Sequence, residues 1–132
     1  MKYTIVDDLR YTEKHEWARR EGNTAVIGLS DYAQDKLGEI VFVELPEIGA
    51  EVEAGKGSAV IESVKAVTDL YAPIDGTVVE VNEELLDQPE VINSDPYGAG
   101  WVYKIKIKDE GQLSALMDRQ AYEKYVIGEE EK

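Results

Sequence analysis

The sequence predicts a mainly β domain in which two sheets wrap around one core, followed by a terminal helix. Short apolar runs rich in β-branched and aromatic residues recur along the 132 residues, and glycine or proline separates them. Tyr103, Ile105 and Ile107 alternate with lysines, which is typical of a strand with one buried and one solvated face. Sustained helical spacing of apolar residues is confined to the last part of the chain.

The first third of the chain predicts a β-hairpin and a short helix. Two runs in which apolar residues alternate with others, residues 17–20 and 24–29, flank a Glu-Gly-Asn turn signal. Ser30 is suited to cap a helix over residues 31–37, because a serine hydroxyl can accept a hydrogen bond from a free backbone N–H of the first turn. Gly38 is suited to end that helix.

The middle of the chain predicts short strands and one long connection. The predicted strands are residues 40–43, Val52, and residues 58–62, 68–71 and 77–81. Residues 82–100 are polar and rich in turn-forming residues, so they predict a loop.

A last strand and a helix complete the chain. The alternation in residues 103–107 predicts the strand, and the pattern then changes to helical spacing over residues 109–127. The apolar side of this helix consists of Leu113, Leu116, Met117, Ala121 and Tyr125. Residues 128–132 are mostly charged and predict a mobile tail.

Composition excludes several classes of function. The chain has 14 basic and 28 acidic residues, and residues 31–132 hold the whole net charge of −14. A surface of this sign repels nucleic-acid phosphates, so we expect no nucleic-acid binding. The longest apolar runs are only a few residues long, so we expect no membrane span.

The N-terminal residues show neither a signal peptide nor an Arg-rich transit peptide. We therefore expect a bacterial or archaeal cytoplasm, or the mitochondrial matrix if the chain is a trimmed mature form. The chain has no cysteine, so a cofactor would have to bring any sulfur redox chemistry.

The residue types that enzymes use for catalysis are nearly absent. His15 is the only histidine and cysteine is missing, which excludes a zinc site and a Cys-His pair. No serine lies in a Gly-x-Ser-x-Gly turn. We therefore expect no catalytic residue, no metal site and no enzymatic activity.

Lys65 lies midway between two copies of a Pro-x-x-Gly-x-x-Val pattern. The copies begin at Pro46 and Pro73, and each position recurs 27 residues later. In this register Gly55 falls opposite Asn82, and both residue types readily adopt positive φ. A lysine between two copies of one strand-turn unit is expected at the exposed tip of a hairpin. Such a lysine can also serve only to protect a sheet edge.

The predicted hairpin, residues 58–76, resembles the lipoyl-bearing domains. In those domains a lysine at a β-turn carries lipoic acid in amide linkage, and Lys65 occupies the similar place in Glu-Ser-Val-Lys-Ala. The related biotin carriers usually have methionine on both sides of the lysine. Val64 and Ala66 occupy those positions here and argue against biotin.

The resemblance extends over almost the whole chain and narrows to the glycine cleavage system H protein family. Four segments around the lysine carry it, namely residues 11–17 (YTEKHEW), 27–34 (IGLSDYAQ), 37–41 (LGEIV) and 94–101 (SDPYGAGW). The resemblance implies a lipoyl-type barrel-sandwich hybrid of two antiparallel sheets, with a short internal helix and a C-terminal helix, in a single carrier domain over residues 1–132.

The resemblance also implies a function without catalysis. A carrier of this family takes the aminomethyl group of glycine, on lipoyl-Lys65, from the pyridoxal-phosphate enzyme glycine decarboxylase to the tetrahydrofolate enzyme aminomethyltransferase. Dihydrolipoamide dehydrogenase reoxidises the arm, and lipoate-attaching enzymes install it. From bond lengths the arm would reach about 15 Å from the Lys65 Cα atom. We expect the carrier to be a monomer.

Further site residues follow from the resemblance. Glu62 and Ser63 are expected to take part in recognition by the lipoate-attaching enzymes. Glu16 and Asp69, with Lys14 beside them, are expected in a cleft that holds the aminomethyl-loaded arm. The aromatic residues expected in the core or as loop anchors are Trp17, Tyr97 and Trp101.

Two alternatives remain open from the sequence. The same modified lysine would serve a relay protein that donates lipoyl groups to other carrier domains. An unmodified acidic domain that only docks onto basic partners would have the same charge.

Overall fold

The structure, a computed structural model, describes residues 2–132. Their elements follow in chain order as β1 (Arg10–Tyr11), β2 (Glu16–Glu21), β3 (Thr24–Leu29), α1 (Asp31–Leu37), β4 (Ile40–Glu44), β5 (Glu51–Val52), β6 (Gly57–Ser63), β7 (Val67–Tyr71), β8 (Gly76–Val81), α2 (Glu84–Asp87), α3 (Val91–Ser94), β9 (Tyr103–Ile107), α4 (Glu110–Ser114) and α5 (Arg119–Glu130). No helix within residues 2–132 combines the length and the apolar character needed to cross a lipid bilayer.

The strands form two antiparallel sheets, as the sequence predicts. The larger sheet has the strand order β1-β2-β3-β9-β8-β5, and the smaller one has the order β4-β6-β7. One apolar cluster joins them, with Ile27 and Ile105 from the larger sheet and Val43, Ile61 and Leu70 from the smaller. Each of these buried side chains stabilises the fold by about 1.5–3 kcal/mol relative to exposure. The mainly β fold class is confirmed.

The predicted first hairpin and short helix are both present. Gly22 has a φ of +65° in the tight connection between β2 and β3. The Ser30 hydroxyl accepts a hydrogen bond from the Ala33 N–H over 3.2 Å and caps α1. At the other end of α1 the Gly38 N–H donates to the Gln34 carbonyl, and the Gly38 φ of +82° turns the chain out of the helix.

A second apolar cluster joins the larger sheet to α5. The rings of Tyr11 and Tyr122 stack with their centroids 4.3 Å apart. Trp17 is fully buried in this cluster, and Tyr97 and Trp101 pack against it while partly buried. The three aromatic residues predicted to lie in the core or to anchor loops therefore do so.

The prediction of one helix over residues 109–127 is wrong, because the chain forms two helices there, α4 and α5. Between them Met117 and Tyr11 exchange two backbone hydrogen bonds, of 2.8 and 3.0 Å, and this pairing takes Met117 out of a helical pattern. Asp118 then starts α5, since its side chain accepts a hydrogen bond from the Ala121 N–H.

The predicted tail, residues 128–132, begins too early in the chain, so this prediction is wrong. Helix α5 continues through Gly128 to Glu130. The Glu130 carboxylate lies 3.2 Å from the Lys36 amine at the end of α1, so the last turn of α5 contacts another helix.

Residues 82–100 are more regular than the predicted loop. They contain the one-turn helices α2 and α3, in which Leu85 and Ile92 are fully buried. Two short apolar pairs, Leu85-Leu86 and Val91-Ile92, in a polar stretch give little helical periodicity, which is why the sequence signal is weak.

The two Pro-x-x-Gly-x-x-Val copies match in sequence but not in backbone conformation. Gly49 and Gly55 have φ values of +94° and +82°, whereas Gly76 and Asn82 do not have positive φ. A Cβ atom on Gly76 would lie 2.6 Å from the Lys106 carbonyl oxygen. The glycine of the second copy therefore provides space for the neighbouring strand β9, while that of the first allows a turn.

Candidate functional site

Lys65 lies in a four-residue turn that joins β6 to β7. The Ser63 N–H donates to the Ala66 carbonyl over 2.8 Å and closes the turn. The buried Ser63 hydroxyl accepts hydrogen bonds from the N–H groups of Lys65 (3.3 Å) and Ala66 (3.1 Å). Ser63 thus holds the shape of the turn from inside, and the structure places Lys65 at the tip where the sequence predicts it.

The hairpin that carries this turn is slightly shorter than predicted. It runs from Gly57 to Tyr71, rather than over residues 58–76. It ends there because Pro73 follows and has no N–H to donate to a strand ladder.

The turn is anchored on the loop that follows α1. The Val64 N–H donates to the Glu39 carbonyl over 3.0 Å. The aliphatic stem of Lys65 passes beside Gly38, where an added Cβ atom would lie 3.5 Å from the lysine Cε. Lys65 is exposed, and it takes part in none of the ion pairs formed within residues 2–132. The amine is therefore free to react while its stem is supported.

Asn93 holds the loop on which the turn rests. Its amide donates to the Gly38 carbonyl over 2.9 Å and to the Gln34 side chain over 3.0 Å, and its oxygen accepts from the Ile40 N–H over 2.9 Å. The sequence predicts a loop at Asn93 and gives no sign of this role. Its partners lie 53 to 59 positions away along the chain, so no local pattern marks it.

A cleft of about 710 Å³ opens between α1 and α3, next to Gly38. Three acidic residues line it together with the Asn93 side chain, namely Asp35, Glu39 and Glu90. The turn that carries Lys65 is therefore bordered by negative charge on this side.

Glu16 lies in another cleft, of about 330 Å³, with its side chain buried. Its carboxylate accepts hydrogen bonds from the Thr12 hydroxyl over 2.5 Å and from the Tyr71 N–H over 3.1 Å. Burial raises the pKa of Glu16, and the two hydrogen bonds and the charge of Lys14 oppose that rise. A buried carboxylate beside open space can bind a cationic group by a charge-assisted hydrogen bond.

The three residues expected in the arm cleft do not all share one cavity. Lys14 lines the same cleft as Glu16, and its amine lies 5.9 Å from the centre of the Tyr71 ring. Asp69 is exposed and lines a different groove, of about 240 Å³, together with Gly57. Strand alternation explains the separation, since Asp69 points away from the core side on which its neighbour Leu70 is buried.

The two residues expected in enzyme recognition differ in access. Glu62 is exposed on β6, three positions before the lysine. Ser63 is buried and its hydrogen bonds lie within the turn, so its contribution to recognition would be indirect.

Comparison with known proteins gives a consistent result. The profile of the family described as Glycine cleavage H-protein matches residues 9–129. A Glycine cleavage system H protein from Klebsiella pneumoniae is 56% identical over 117 residues, which are 88% of this chain and 91% of that protein. A Probable glycine cleavage system H protein from Aeropyrum pernix is 51% identical over 122 residues, which are 92% of this chain and 85% of the relative.

A solved structure shows the same architecture. The crystal structure of a glycine cleavage system H protein from Mycobacterium marinum superposes with a TM-score of 0.81 at 36% sequence identity. The match covers 95% of this chain and 98% of that one.

Proposed function

The chain belongs to the glycine cleavage system H protein family, and on this premise we propose that Lys65 carries lipoic acid in amide linkage. The chain is a lipoyl carrier of glycine cleavage. One observation supports Lys65 as the attachment site above all others. It is an exposed lysine at the tip of a turn that Ser63 braces from inside.

The residues around Lys65 fit an acyl group on its amine. Amidation removes the lysine charge and takes the formal net charge from −14 to −15. It breaks no ion pair, because Lys65 forms none within the described part of the chain. The supported stem gives the arm a defined origin, while the exposed tip lets it turn in several directions.

We infer that the chain itself catalyses no step of the cycle. When bound, lipoate would supply a disulfide able to accept the aminomethyl group at glycine decarboxylase and, once aminomethyltransferase has removed that group, a dithiol that dihydrolipoamide dehydrogenase can reoxidise. The chain contributes the turn that carries Lys65, the acidic surface around that turn and the buried carboxylate of Glu16. Its lack of cysteine leaves no internal thiol to form a mixed disulfide.

We propose Glu16 as the residue that receives the cationic amine carried in this cycle. The surrounding protein buries most of this carboxylate and leaves it only a small opening to the cleft, which strengthens an ionic hydrogen bond there. The positive charge of Lys14 opposes a cation in the same cleft, so Lys14 is better placed at the rim. Asp69, in the neighbouring groove, would contribute negative charge from outside the cleft.

The attachment site is tested by intact mass spectrometry of the parent chain and Lys65→Arg, each incubated with lipoate, ATP and a lipoate-attaching enzyme. The parent is expected to gain one lipoyl group and Lys65→Arg none. Lys56→Arg, which changes another exposed lysine on the approach to β6, is the matched control and is expected to be modified like the parent. Lipoylation of Lys65→Arg, or none of the parent, would exclude Lys65.

We propose that Glu62 takes part in recognition by the attaching enzyme, since that enzyme must select one lysine on a folded domain. Glu62→Ala is expected to slow lipoylation without changing the melting temperature. Glu47→Ala, also exposed but in a loop after β4, serves as its control. Equal rates for Glu62→Ala and the parent would contradict the proposal.

The glycine cleavage role is favoured over the two alternatives, since the relatives compared above carry the name of that system. A donor of lipoyl groups would deplete its own lipoyl-Lys65 when mixed with an unmodified lipoyl domain and the attaching enzymes. We expect the carrier to keep its lipoyl group in that mixture, as intact mass would show.

A further inference from the structure

The outer face of the smaller sheet has an exposed apolar row beside the Lys65 turn. Phe42, Glu62 and Val67 are direct cross-strand neighbours on β4, β6 and β7. Phe42 is 51% exposed and Val67 is 66% exposed, and the carboxylate of Glu62 lies between them. Two apolar side chains therefore flank one carboxylate across the full width of the sheet.

A β-bulge enlarges the apolar part of this row. The register of β4 against β6 shifts between Ile40 and Phe42, so that Val41 is an extra residue on β4. Val41 is 42% exposed next to Phe42. Bulges of this kind redirect side chains, and here two consecutive apolar residues face solvent at the end of the sheet that carries the lysine.

The next row on the same face is acidic at both ends. Glu44, Val60 and Asp69 are cross-strand neighbours, and both carboxylates are exposed. Within residues 2–132, Glu44, Glu62 and Asp69 form no ion pair. The two rows hold no lysine or arginine, so the face combines an uncompensated negative charge with exposed apolar area. A partner surface that complements it has basic groups around an apolar centre.

We propose that this face is the docking surface of the enzyme that attaches lipoate to Lys65, and that Phe42 and Val67 provide its apolar contacts. The inference rests on the proposed function and extends it from the turn to the sheet. A basic group of the enzyme would pair with Glu62, and an apolar pocket would cover Phe42. Aromatic side chains are frequent among the residues that dominate binding at such interfaces.

The short length of the unmodified Lys65 side chain favours the attaching enzyme over the other partners of this carrier. The amine of unmodified Lys65 lies only about 6 Å from its Cα atom when extended, by bond lengths. The attaching enzyme must bring its active site to that amine, so it has to cover the turn and the strands next to it. An enzyme that acts on the far end of an acylated arm can bind at a greater distance from the sheet.

The test compares lipoylation kinetics of Phe42→Ser and Val67→Ser with those of Val79→Ser, using one lipoate-attaching enzyme and intact mass as the readout. Val79 is a matched control, since it is an exposed valine on β8 of the other sheet. The two face variants are expected to lose about tenfold in kcat/KM for the carrier, which corresponds to about 1.4 kcal/mol. Val79→Ser is expected to match the parent.

A second measurement separates this enzyme from other occupants. Each variant is lipoylated to completion at high enzyme concentration, and reoxidation of its reduced arm by dihydrolipoamide dehydrogenase is then followed. An unchanged rate of reoxidation supports the proposal. If reoxidation slows as much as lipoylation does, the face binds several enzymes, and its assignment to the attaching enzyme is overturned. Parent-like lipoylation of Phe42→Ser and Val67→Ser would overturn the face but leave Lys65 as the attachment site. Failure of the parent to be lipoylated would overturn both.

Discussion

Ser63→Ala tests whether the shape of the turn, and not only the presence of a lysine, makes Lys65 a substrate. The change removes the hydroxyl that accepts hydrogen bonds from the N–H groups of Lys65 and Ala66. Two hydrogen bonds at about 0.5–1.5 kcal/mol each give a loss of roughly 1–3 kcal/mol. For a chain of 132 residues this lowers the melting temperature by about 4–11 °C.

The larger effect is expected on modification. Without the Ser63 hydroxyl the turn keeps one closing backbone bond, from the Ser63 N–H to the Ala66 carbonyl, so Lys65 samples more orientations. We expect the rate of lipoylation at limiting carrier to fall several-fold, because a pre-organised lysine loses less conformational freedom on binding. The assay is the appearance of the lipoylated mass over time.

Ser58→Ala provides the matched control on the same strand. The Ser58 hydroxyl hydrogen bonds with the Leu70 carbonyl (2.9 Å) and the Tyr103 hydroxyl (2.7 Å), so its loss has a similar cost in stability. It lies five residues from Ser63, which is about 17 Å along a strand. We expect Ser58→Ala to melt lower but to be lipoylated like the parent. Normal lipoylation of Ser63→Ala, or equal slowing in Ser58→Ala, would refute the role of the turn.

Three further outcomes are expected. Burial raises the pKa of Glu16, so its contribution to stability is present below the ordinary value of 4.5 and is lost as pH rises through the raised one; thermal melts should therefore show the parent losing stability relative to Glu16→Gln as pH rises from 4.5 to 7, whereas a gap that does not change with pH would contradict the raised pKa. The variant also carries a cost that does not depend on pH, because one amide oxygen cannot accept both hydrogen bonds of the carboxylate. Gly28→Ala would place a Cβ atom 2.6 Å from the buried Trp17 ring and should cost about 1–3 kcal/mol in chemical denaturation, whereas a parent-like midpoint would contradict this packing. Asp118→Ala removes the cap on the Ala121 N–H and should cost about 1 kcal/mol, while Asp118→Asn, which keeps the acceptor, should cost less.

Local signals predicted the parts of the fold that depend on neighbouring residues. Ser30 and Gly38 have the residue types that begin and end a short helix, and α1 lies between them. The alternation in β9 predicts a strand because side chains on a strand point to opposite faces with a period of two residues. The lysine turn follows from the same kind of pattern, together with the resemblance to the lipoyl domains.

Local signals failed where a distant partner determines the backbone. The helical spacing after Asp109 is real, but Met117 pairs with Tyr11 more than a hundred positions earlier and divides the helix. Gly76 resembles Gly49 in sequence, yet the contact with Lys106 on β9 determines its conformation.

The sequence by itself determined the mainly β fold class and put Lys65 at a turn between short strands, because such a turn depends on nearby residues; the resemblance to the family added the lipoyl-carrier role. Only the tertiary structure decided what surrounds that lysine. It placed Asn93 against the loop that supports the Lys65 turn, separated Asp69 from the cleft of Glu16, and put Phe42 in one row with Glu62. These placements depend on strand register and on contacts between residues far apart in the chain, which local periodicity does not encode.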